Sequence, residues 1–261
     1  MGLIIASIAL GLVFVAALAM AWAYLRDRAR RKHRGVFARW PIPQISVKEL
    51  DPVFEPGALG PRVDSEAVLI AGTELLRVVG STSDVEAWIL AVLSKRAKVM
   101  FEFGTASGRT AYLWARNSPP DARVVTLTLR EGDIPTYTRE AGDAEFDVRN
   151  ALDESRFTTF YYSGTAVESK VTQLYGDSKT FDESPWAGQC DLVFVDGSHA
   201  LSYVQSDSRK ALRLAKPGGL VVWHDYRGPR VPGVFHALNA LASELPLRHV
   251  AGTSLVVYRK S

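Results

Sequence analysis

The chain has 261 residues, 47% hydrophobic and 23% charged, which is typical of a globular protein and excludes a disordered one. Its net charge is +3, but residues 26–34 contain six Lys or Arg and one Asp, a net +5, so the rest of the chain carries −2. The folded part therefore lacks the basic excess of a nucleic-acid-binding protein. The single cysteine, Cys190, excludes an internal disulfide and a multi-cysteine metal site. We expect it to be buried and inert rather than a reactive thiol.

Residues 2–25 contain no charged side chain. At about 1.5 Å per residue, this run crosses the roughly 30 Å hydrocarbon core of a bilayer. A cleaved signal peptide would have basic residues before the apolar run, whereas here they follow it. The sequence predicts an uncleaved single-pass anchor over residues 1–25 in the cell inner (plasma) membrane, with the rest of the chain in the cytoplasm. The alternative is a buried helix of a globular protein, which normally has a polar face.

The segment after the anchor is predicted as a basic juxtamembrane stretch and a Pro/Gly-rich linker over residues 26–65, followed by a folded domain over residues 66–261. The basic side chains would contact anionic lipid headgroups. Within the apolar run, Ser7-x-x-x-Gly11 is a weak helix-dimerisation pattern. It is compatible with a homo-oligomer, but it also occurs by chance.

Strands and helices alternate from Lys98 onward, after a helical pattern over residues 66–97 in which Ser83 and Glu86 have the spacing of a capping box. The strands are predicted at 98–103, 123–129, 170–176, 190–196 and 220–225, with a closing strand pair at 247–260. The helices are predicted at 108–117, from the end of the fourth strand to Lys216, and at 232–244, with a turn at 216–219. Near-continuous apolar strands between helices indicate an α/β fold, with a mostly parallel, doubly wound sheet.

Residues 131–169 do not fit this alternation, because they are rich in charged residues, Thr and Tyr. A long insertion after the C-terminal end of a strand is a candidate substrate lid. Ligands of such sheets bind outside the C-terminal ends of the strands, so the last residues of each strand are candidates for chemistry.

The first strand ends in Glu102 and Gly104, and Gly108 opens the next helix. Glycines here let the backbone pass close to a ligand, and the helix N-terminus offers free N–H groups. The alternative is a plain strand-to-helix turn, and the spacing differs from the G-x-G-x-x-G of dinucleotide enzymes. The second strand ends in Thr128 or Leu129, where nucleotide-binding sheets commonly place an acid for the ribose hydroxyls.

Acidic residues follow three further strands. Asp177 and Ser178 are placed to meet an adenine ring or, alternatively, to cap a helix. Asp196 and Asp225 would lie side by side if their strands are neighbours, about 4.8 Å apart. Two carboxylates so close repel each other unless a cation lies between them, and oxygen ligands suit Mg²⁺. The alternative is that Asp196 caps the following helix and Asp225 is solvated.

Histidines flank this pair of aspartates. His199, Tyr203 and Asp207 are spaced four apart, so we expect them to share one helix face, with His199 in the first turn. A histidine suits general-base catalysis near neutral pH, and a hydrogen-bonded or surface histidine is the alternative. His224 and Tyr226, on either side of the second aspartate, are candidates for the same role.

Several of these segments together resemble class I S-adenosylmethionine-dependent methyltransferases. The segments are "FEFGTASGRT", "GDS", "DLVFVDGSHALSYVQSD", "ALRLAKPGGLVVWHDY" and "GTSLVVYRK". They are most similar to the bacterial group that includes the macrocin-type sugar O-methyltransferases and the cephalosporin-biosynthesis methyltransferase. The resemblance covers roughly residues 70–260.

The resemblance implies a seven-stranded Rossmann-like sheet whose last strand is antiparallel. It implies that the methionine end of the cofactor is lined by Glu102, Gly104, Thr105, Ser107 and Gly108. It also implies an adenine end at Asp177 and Ser178, and a divalent metal, expected to be Mg²⁺, on Asp196 and Asp225, with Asp196 also facing the cofactor. Where the cephalosporin relative has an acidic, metal-facing residue before the second aspartate, this chain has His224.

The implied activity is methyl transfer from a sulfonium to a hydroxyl that the metal holds and acidifies, while His199 or His224 takes the proton. The expected acceptor is a sugar or another polar small molecule, and the anchor suggests a lipid-linked saccharide. Two alternatives stay open. One is a non-catalytic, membrane-tethered module that keeps the fold, which the missing ribose acid favours. The other is a nicotinamide oxidoreductase, which the glycine spacing disfavours.

Overall fold

The computed structural model of the chain describes residues 15–25, 41–72, 78–80 and 82–261. The chain divides into two compact units, Met1–Trp40 and Pro41–Ser261. In the first unit, residues 15–25 are helical and exposed. Within the described ranges, no helix has both the length and the apolar character needed to cross a membrane. The remaining positions of the predicted anchor, the basic stretch and the Ser7-x-x-x-Gly11 pattern lie outside these ranges, so the anchor stays a prediction.

The second unit is built on an eight-stranded sheet. Its strands are β1 (Gln44–Ile45), β2 (Val99–Phe103), β3 (Arg123–Thr128), β4 (Val171–Tyr175), β5 (Cys190–Val195), β6 (Ala215–Trp223), β7 (Arg248–Val250) and β8 (Val256–Arg259). Their order is β1-β7-β8-β6-β5-β2-β3-β4. Only β8 is antiparallel to its neighbours, β6 and β7. The mostly parallel Rossmann-like sheet with an antiparallel β8 is confirmed, but the strand number is eight rather than seven.

The additional strand belongs to the segment that was predicted as a linker. β1 pairs in parallel with β7 at the edge of the sheet. Ile42, Leu50 and Phe54 are buried, and the Phe54 ring packs edge-on against Trp88, with ring centroids 5.1 Å apart. Apolar burial therefore draws residues 41–65 into the folded unit, which extends N-terminally of the predicted boundary at residue 66.

The helices are α1 (Val47–Leu50), α2 (Asp84–Ser94), α3 (Arg109–Asn117), α4 (Glu145–Glu154), α5 (Leu201–Leu214) and α6 (Pro232–Leu241). The capping box at Ser83 and Glu86 is confirmed and opens α2. The helix predicted from residue 66 is wrong for residues 66–72, which are extended or irregular. There, the backbone N–H and C=O of Val68 bond to the Asn117 side chain at 2.7 and 3.0 Å, instead of to neighbours in a helix.

The turn predicted at 216–219 is part of β6. The pairing of β6 with β5 shifts register between Cys190 and Leu192, so residues 216–219 form a bulge in β6. A Cβ on Gly219 would lie 2.7 Å from the carbonyl oxygen of Cys190, which explains why the bulge needs glycine. Cys190 is buried, and burial raises its thiol pKa to about 12. The prediction of an inert cysteine is therefore confirmed.

The predicted insertion over residues 131–169, hereafter the lid insertion, contains a 3-10 turn at Glu131–Thr136 and helix α4. It follows β3 directly and therefore starts at the C-terminal edge of the sheet. The same edge carries the ends of β2, β4, β5 and β6, where the predicted site residues lie.

Candidate active site

The ends of β2 and β5 touch each other through a glycine. Gly104 has φ +94°, and a Cβ on it would lie 2.1 Å from the carbonyl oxygen of Asp196. Gly108 has φ +75°, and its Cβ would lie 2.8 Å from atoms of Phe160 and Tyr162. Both glycines of the E-x-G-x-x-x-G pattern are therefore required by backbone conformation and by close packing.

Glu102, Thr105 and Ser107 are buried in this loop. Thr126 donates a hydrogen bond to Oε2 of Glu102 at 2.6 Å, and its hydroxyl lies 2.7 Å from that of Thr105. The Ser107 hydroxyl donates to the Val79 carbonyl at 2.8 Å. Burial raises the pKa of Glu102 to about 8, so much of this carboxyl is protonated near neutral pH. The hydroxyls make bonds within the protein, and the predicted cofactor contacts of these three residues stay predictions.

Asp177 and Ser178 lie at the end of β4, beside α5. The Asp177 carboxylate accepts from the Lys179 backbone N–H at 2.9 Å and from the Tyr203 hydroxyl at 3.0 Å. Asp207, on α5, is 1% exposed, and Ser178 bonds to its carboxyl group. Burial raises the pKa of Asp207 to about 7. Asp177 therefore caps a turn at residues 178–180 and not a helix, which was the alternative, while the adenine contact stays a prediction.

A cavity of about 60 Å³ lies between these strand ends and the lid insertion. Its walls include Gly104, Thr128, Tyr137, Glu154, Asp177 and Gly197. The Tyr137 ring stacks on Tyr203 with centroids 4.2 Å apart, and its hydroxyl lies 2.7 Å from that of Ser198. Sites for drug-sized ligands have volumes of roughly 300 Å³ or more, so this cavity is smaller than a typical cofactor site.

The ends of β5 and β6 bring three side chains together. Donor atoms of Asp196, His199 and Asp225 all lie within 4.8 Å of one another, and we call these residues the transfer centre. His199 Nε2 lies 2.8 Å from Oδ2 of Asp225. Burial lowers the pKa of His199, but the hydrogen bond and the charge of Asp225 outweigh it and raise that pKa above its ordinary value. Asp225 adopts a left-handed backbone, with φ 59°.

His199 does not lie on a helix, contrary to the predicted helix face. α5 begins at Leu201, and His199 belongs to the loop before it. A Cβ on Gly233, in the first turn of α6, would lie 2.0 Å from the His199 carbonyl oxygen. Close packing of α6 on this loop therefore fixes the position of His199.

His224 is fully buried, and both of its ring nitrogens face carboxylates. Nδ1 lies 2.9 Å from Oδ1 of Asp196 and 3.4 Å from Oδ2 of Asp225, and Nε2 lies 3.4 Å from Oε2 of Glu86. Burial lowers the pKa of His224, but these carboxylates outweigh it and hold that pKa well above its ordinary value. His224 is therefore a buried imidazolium that neutralises part of the acidic charge, and the geometry favours His199 as the proton acceptor.

Two residues of this network carried no functional signal in the sequence. Glu86 belongs to the capping box, and its Oε1 also accepts from the backbone N–H and hydroxyl of Ser254, at 2.6 and 2.7 Å. Arg227 pairs with Asp225, with Nε 2.8 Å from Oδ1. The hydroxyl of Tyr226, the third candidate base, donates to Oδ1 of Asn239 at 2.5 Å, which disfavours that role.

The transfer centre offers two carboxylates and one imidazole to a cation. This donor set fits a divalent ion, and its nitrogen donor favours a first-row transition metal over Mg²⁺, which prefers oxygen ligands. His224 is unavailable as a third ligand, because both of its nitrogens already face carboxylates. His199 takes that place in the group.

Residues 101–226 match the family model described as "Methyltransferase domain". This stretch includes the last three residues of β2, all of β3 to β6 and every residue of the transfer centre. The prediction of a methyltransferase domain is thereby confirmed, while the placement of the chain in the macrocin and cephalosporin group stays a prediction. None of the curated proteins compared with the chain matches it.

Solved structures of similar fold include two bacterial O-methyltransferases. One is TomG from Streptomyces achromogenes, involved in tomaymycin synthesis and solved with S-adenosylmethionine. It is 21% identical, with a TM-score of 0.46 over 69% of this chain and 82% of that chain. The other is an O-methyltransferase from Bacillus cereus in complex with S-adenosylhomocysteine. It is 18% identical, with a TM-score of 0.47 over 70% of this chain and 84% of that chain.

Proposed function

We propose that this methyltransferase uses S-adenosylmethionine to methylate a hydroxyl group of a polar acceptor. The observation that carries the proposal is the pairing of His199 with Asp225 at the C-terminal edge of the sheet, beside the cavity lined by Gly104 and Gly197. The cavity would hold the cofactor, and the histidine would take the proton that the acceptor hydroxyl loses.

His199 is arranged as a general base. Asp225 is ionised, because His199 and His224 outweigh the effect of burial and hold its pKa below the ordinary value. The Nε2–H of His199 therefore points to Asp225, which leaves Nδ1 to accept a proton. The acceptor oxygen attacks the methyl carbon as the carbon–sulfur bond breaks, and the proton of the hydroxyl goes to His199. Alignment of oxygen, carbon and sulfur supplies much of the rate.

A divalent cation would be held by Asp196, His199 and Asp225, and when bound it would polarise and acidify the acceptor hydroxyl. Asp196 and Asp225 both contact His224, whose positive charge offsets the repulsion between the two acidic side chains. With the cation bound, His199 would be its ligand and the acidified hydroxyl would lose its proton to water, whereas without the cation His199 would take that proton.

Calorimetric titration of the full chain tests this proposal. We expect binding of S-adenosylmethionine and S-adenosylhomocysteine and none of NAD. We also expect Mn²⁺ to bind more tightly than Mg²⁺, and Asp196→Asn to weaken Mn²⁺ binding by at least about tenfold, as the loss of a charged ligand does. Asp133→Asn, which lies in the lid insertion and pairs with Arg130, is the matched control.

The outcomes separate the alternatives. Absence of binding of either sulfur compound at millimolar concentration would favour the non-catalytic, membrane-tethered module, which the missing acid at Thr128 and the small cavity support. Cofactor binding without any Mn²⁺ binding would leave a methyltransferase that relies on His199 alone.

We further propose that residues 1–25 anchor the chain in the inner membrane, so that it meets a saccharide or another polar, lipid-linked acceptor at the cytoplasmic surface. The uncharged run of residues 2–25 and the net charge of +5 at residues 26–34 support this proposal. We expect the full chain to sediment with membranes, and a chain lacking residues 1–34 to remain in the supernatant. If both forms divide equally between the membrane pellet and the supernatant after ultracentrifugation, the result would contradict the anchor.

A further inference from the structure

Helix α4 of the lid insertion turns an acidic face toward the site. Asp147, Ala151 and Glu154 are spaced four and three residues apart, which places them on one side of the helix. Ala151 and Glu154 line the cavity beside Gly104 and Gly197. Asp147, one helical turn before Ala151, is 3% exposed. The lid insertion thus adds the carboxyl group of Glu154 to the cavity and carries a second, buried carboxyl group, that of Asp147, on the same side of α4.

These two carboxyl groups lack partners. Among the residues that the structure describes, none forms a hydrogen bond or ion pair with the side chain of Glu154, and Oδ2 of Asp147 is buried without a hydrogen-bond partner. Burial, reinforced by the negative charge of Asp196, raises the pKa of Glu154 to about 7. A carboxyl group beside a cavity, unpaired and close to other acids, is stabilised by a ligand that carries a positive charge there.

The proposed reaction brings a positively charged sulfonium to the cavity. The acceptor hydroxyl lies at the transfer centre, so the methyl group that it attacks must lie beside the transfer centre. The sulfonium is bonded to that methyl carbon and therefore lies close by. Glu154 lines the cavity together with Gly197 and Ser198, which lie between Asp196 and His199 in the chain, so it faces the same region. We propose that Glu154 recognises the sulfonium of S-adenosylmethionine and selects the methyl-bearing cofactor over the neutral S-adenosylhomocysteine. This inference rests on the proposed function and assigns a further specificity residue to it.

A preference of Glu154 for the sulfonium would favour release of the product. As the carbon–sulfur bond breaks, the electron pair of that bond stays on sulfur, and the sulfonium becomes an uncharged thioether. The attraction to Glu154 is lost at that moment, so the product binds more weakly than the cofactor. An opposite charge within about 4–6 Å typically favours the ionised form of a carboxyl group by one to three pKa units, so we expect a preference of roughly tenfold or more.

The test compares three ligands of similar shape. S-adenosylmethionine carries a sulfonium, sinefungin carries an ammonium in the corresponding region, and S-adenosylhomocysteine is neutral there. Their affinities are measured by calorimetry at about pH 8, where a carboxyl group with a pKa of about 7 is ionised. The proteins are the full chain, Glu154→Gln and Glu145→Gln. Glu145 is the matched control, because it lies on the same helix with a side chain 76% exposed and paired with Arg149.

We expect Glu154→Gln to weaken S-adenosylmethionine and sinefungin by roughly tenfold and to leave S-adenosylhomocysteine unchanged, while Glu145→Gln changes none of the three. Equal weakening of all three ligands by Glu154→Gln, or no change in any, would overturn the inference and leave the proposed function intact. If the unaltered chain binds none of them, the proposed function fails and the inference fails with it. Thermal unfolding of both variants confirms that they fold.

Discussion

Replacing His224 by glutamine is expected to destabilise the folded chain by about 3–5 kcal/mol, the usual cost of removing one partner from a buried charge pair. The imidazolium faces Glu86, Asp196 and Asp225, and glutamine removes its positive charge without removing theirs. Urea unfolding near neutral pH in the presence of EDTA measures the effect without rescue by a cation. His236→Gln, at an exposed position on α6, is the control and is expected to change the stability by less than about 0.5 kcal/mol.

The pH dependence of the free energy of unfolding is a second measurement that tests this prediction. The pKa of His224 is raised in the folded chain. Its contribution to the free energy of unfolding is therefore fully present below about pH 6.5 and is lost as the pH rises through the folded pKa. The pKa values of Glu86 and Asp225 are lowered, so their contributions are present above about pH 4 and are lost as the pH falls through the folded values. In His224→Gln the unpaired carboxyl groups take up protons at higher pH than in the unaltered chain. The difference in free energy of unfolding between the unaltered chain and His224→Gln should therefore become smaller toward about pH 4. A difference that stays constant from neutral to acidic pH would contradict the charge network.

Much of the fold follows from apolar periodicity alone. The four predicted strands that became β2 to β5 begin and end within one residue of the observed bounds, because each is a short apolar run between turn residues. Errors occurred where side chains distant in sequence decide the backbone. Residues 66–72 look helical by pattern, but within this segment the backbone N–H and C=O of Val68 bond to the Asn117 side chain. Residues 41–65 look like a linker, but Phe54 and its apolar neighbours are buried against the sheet unit.

Only some residues of the candidate site could be predicted from the sequence. Asp196 and Asp225 could be paired from the sequence, because neighbouring parallel strands end at one edge of the sheet. Glu86 and Glu154 could not be placed in the site from the sequence, since one lies on the helix between β1 and β2 and the other lies on an insertion whose path no periodicity predicts. The sequence also left His199 and His224 equivalent as bases. Only the contacts of His224 with three carboxylates separate a buried charge from a proton acceptor.

Replacing Gly104 by alanine is expected to destabilise the chain by roughly 2–6 kcal/mol, from two separate terms. Alanine at φ +94° is strained by about 1–3 kcal/mol, because only glycine adopts this conformation freely. Its Cβ would also lie 2.1 Å from the Asp196 carbonyl oxygen, and backbone can relieve that overlap only by moving. Overpacking of this kind typically costs another 1–3 kcal/mol. The measurement is the urea midpoint, with Gly132→Ala as the control, since no atom lies within 4 Å of a Cβ there.

A backbone shift at Asp196 would affect function as well as stability. Asp196 follows β5 directly, and its side chain is a member of the transfer centre, so displacing its carbonyl also changes the position of its carboxylate relative to His224 and His199. We therefore expect Gly104→Ala to weaken Mn²⁺ and S-adenosylmethionine together, under conditions in which circular dichroism shows the variant folded. Gly132→Ala should leave both affinities unchanged. A stable Gly104→Ala chain with normal ligand affinities would show that the β2 and β5 ends do not touch as described, and the geometry of the transfer centre would fall with that contact.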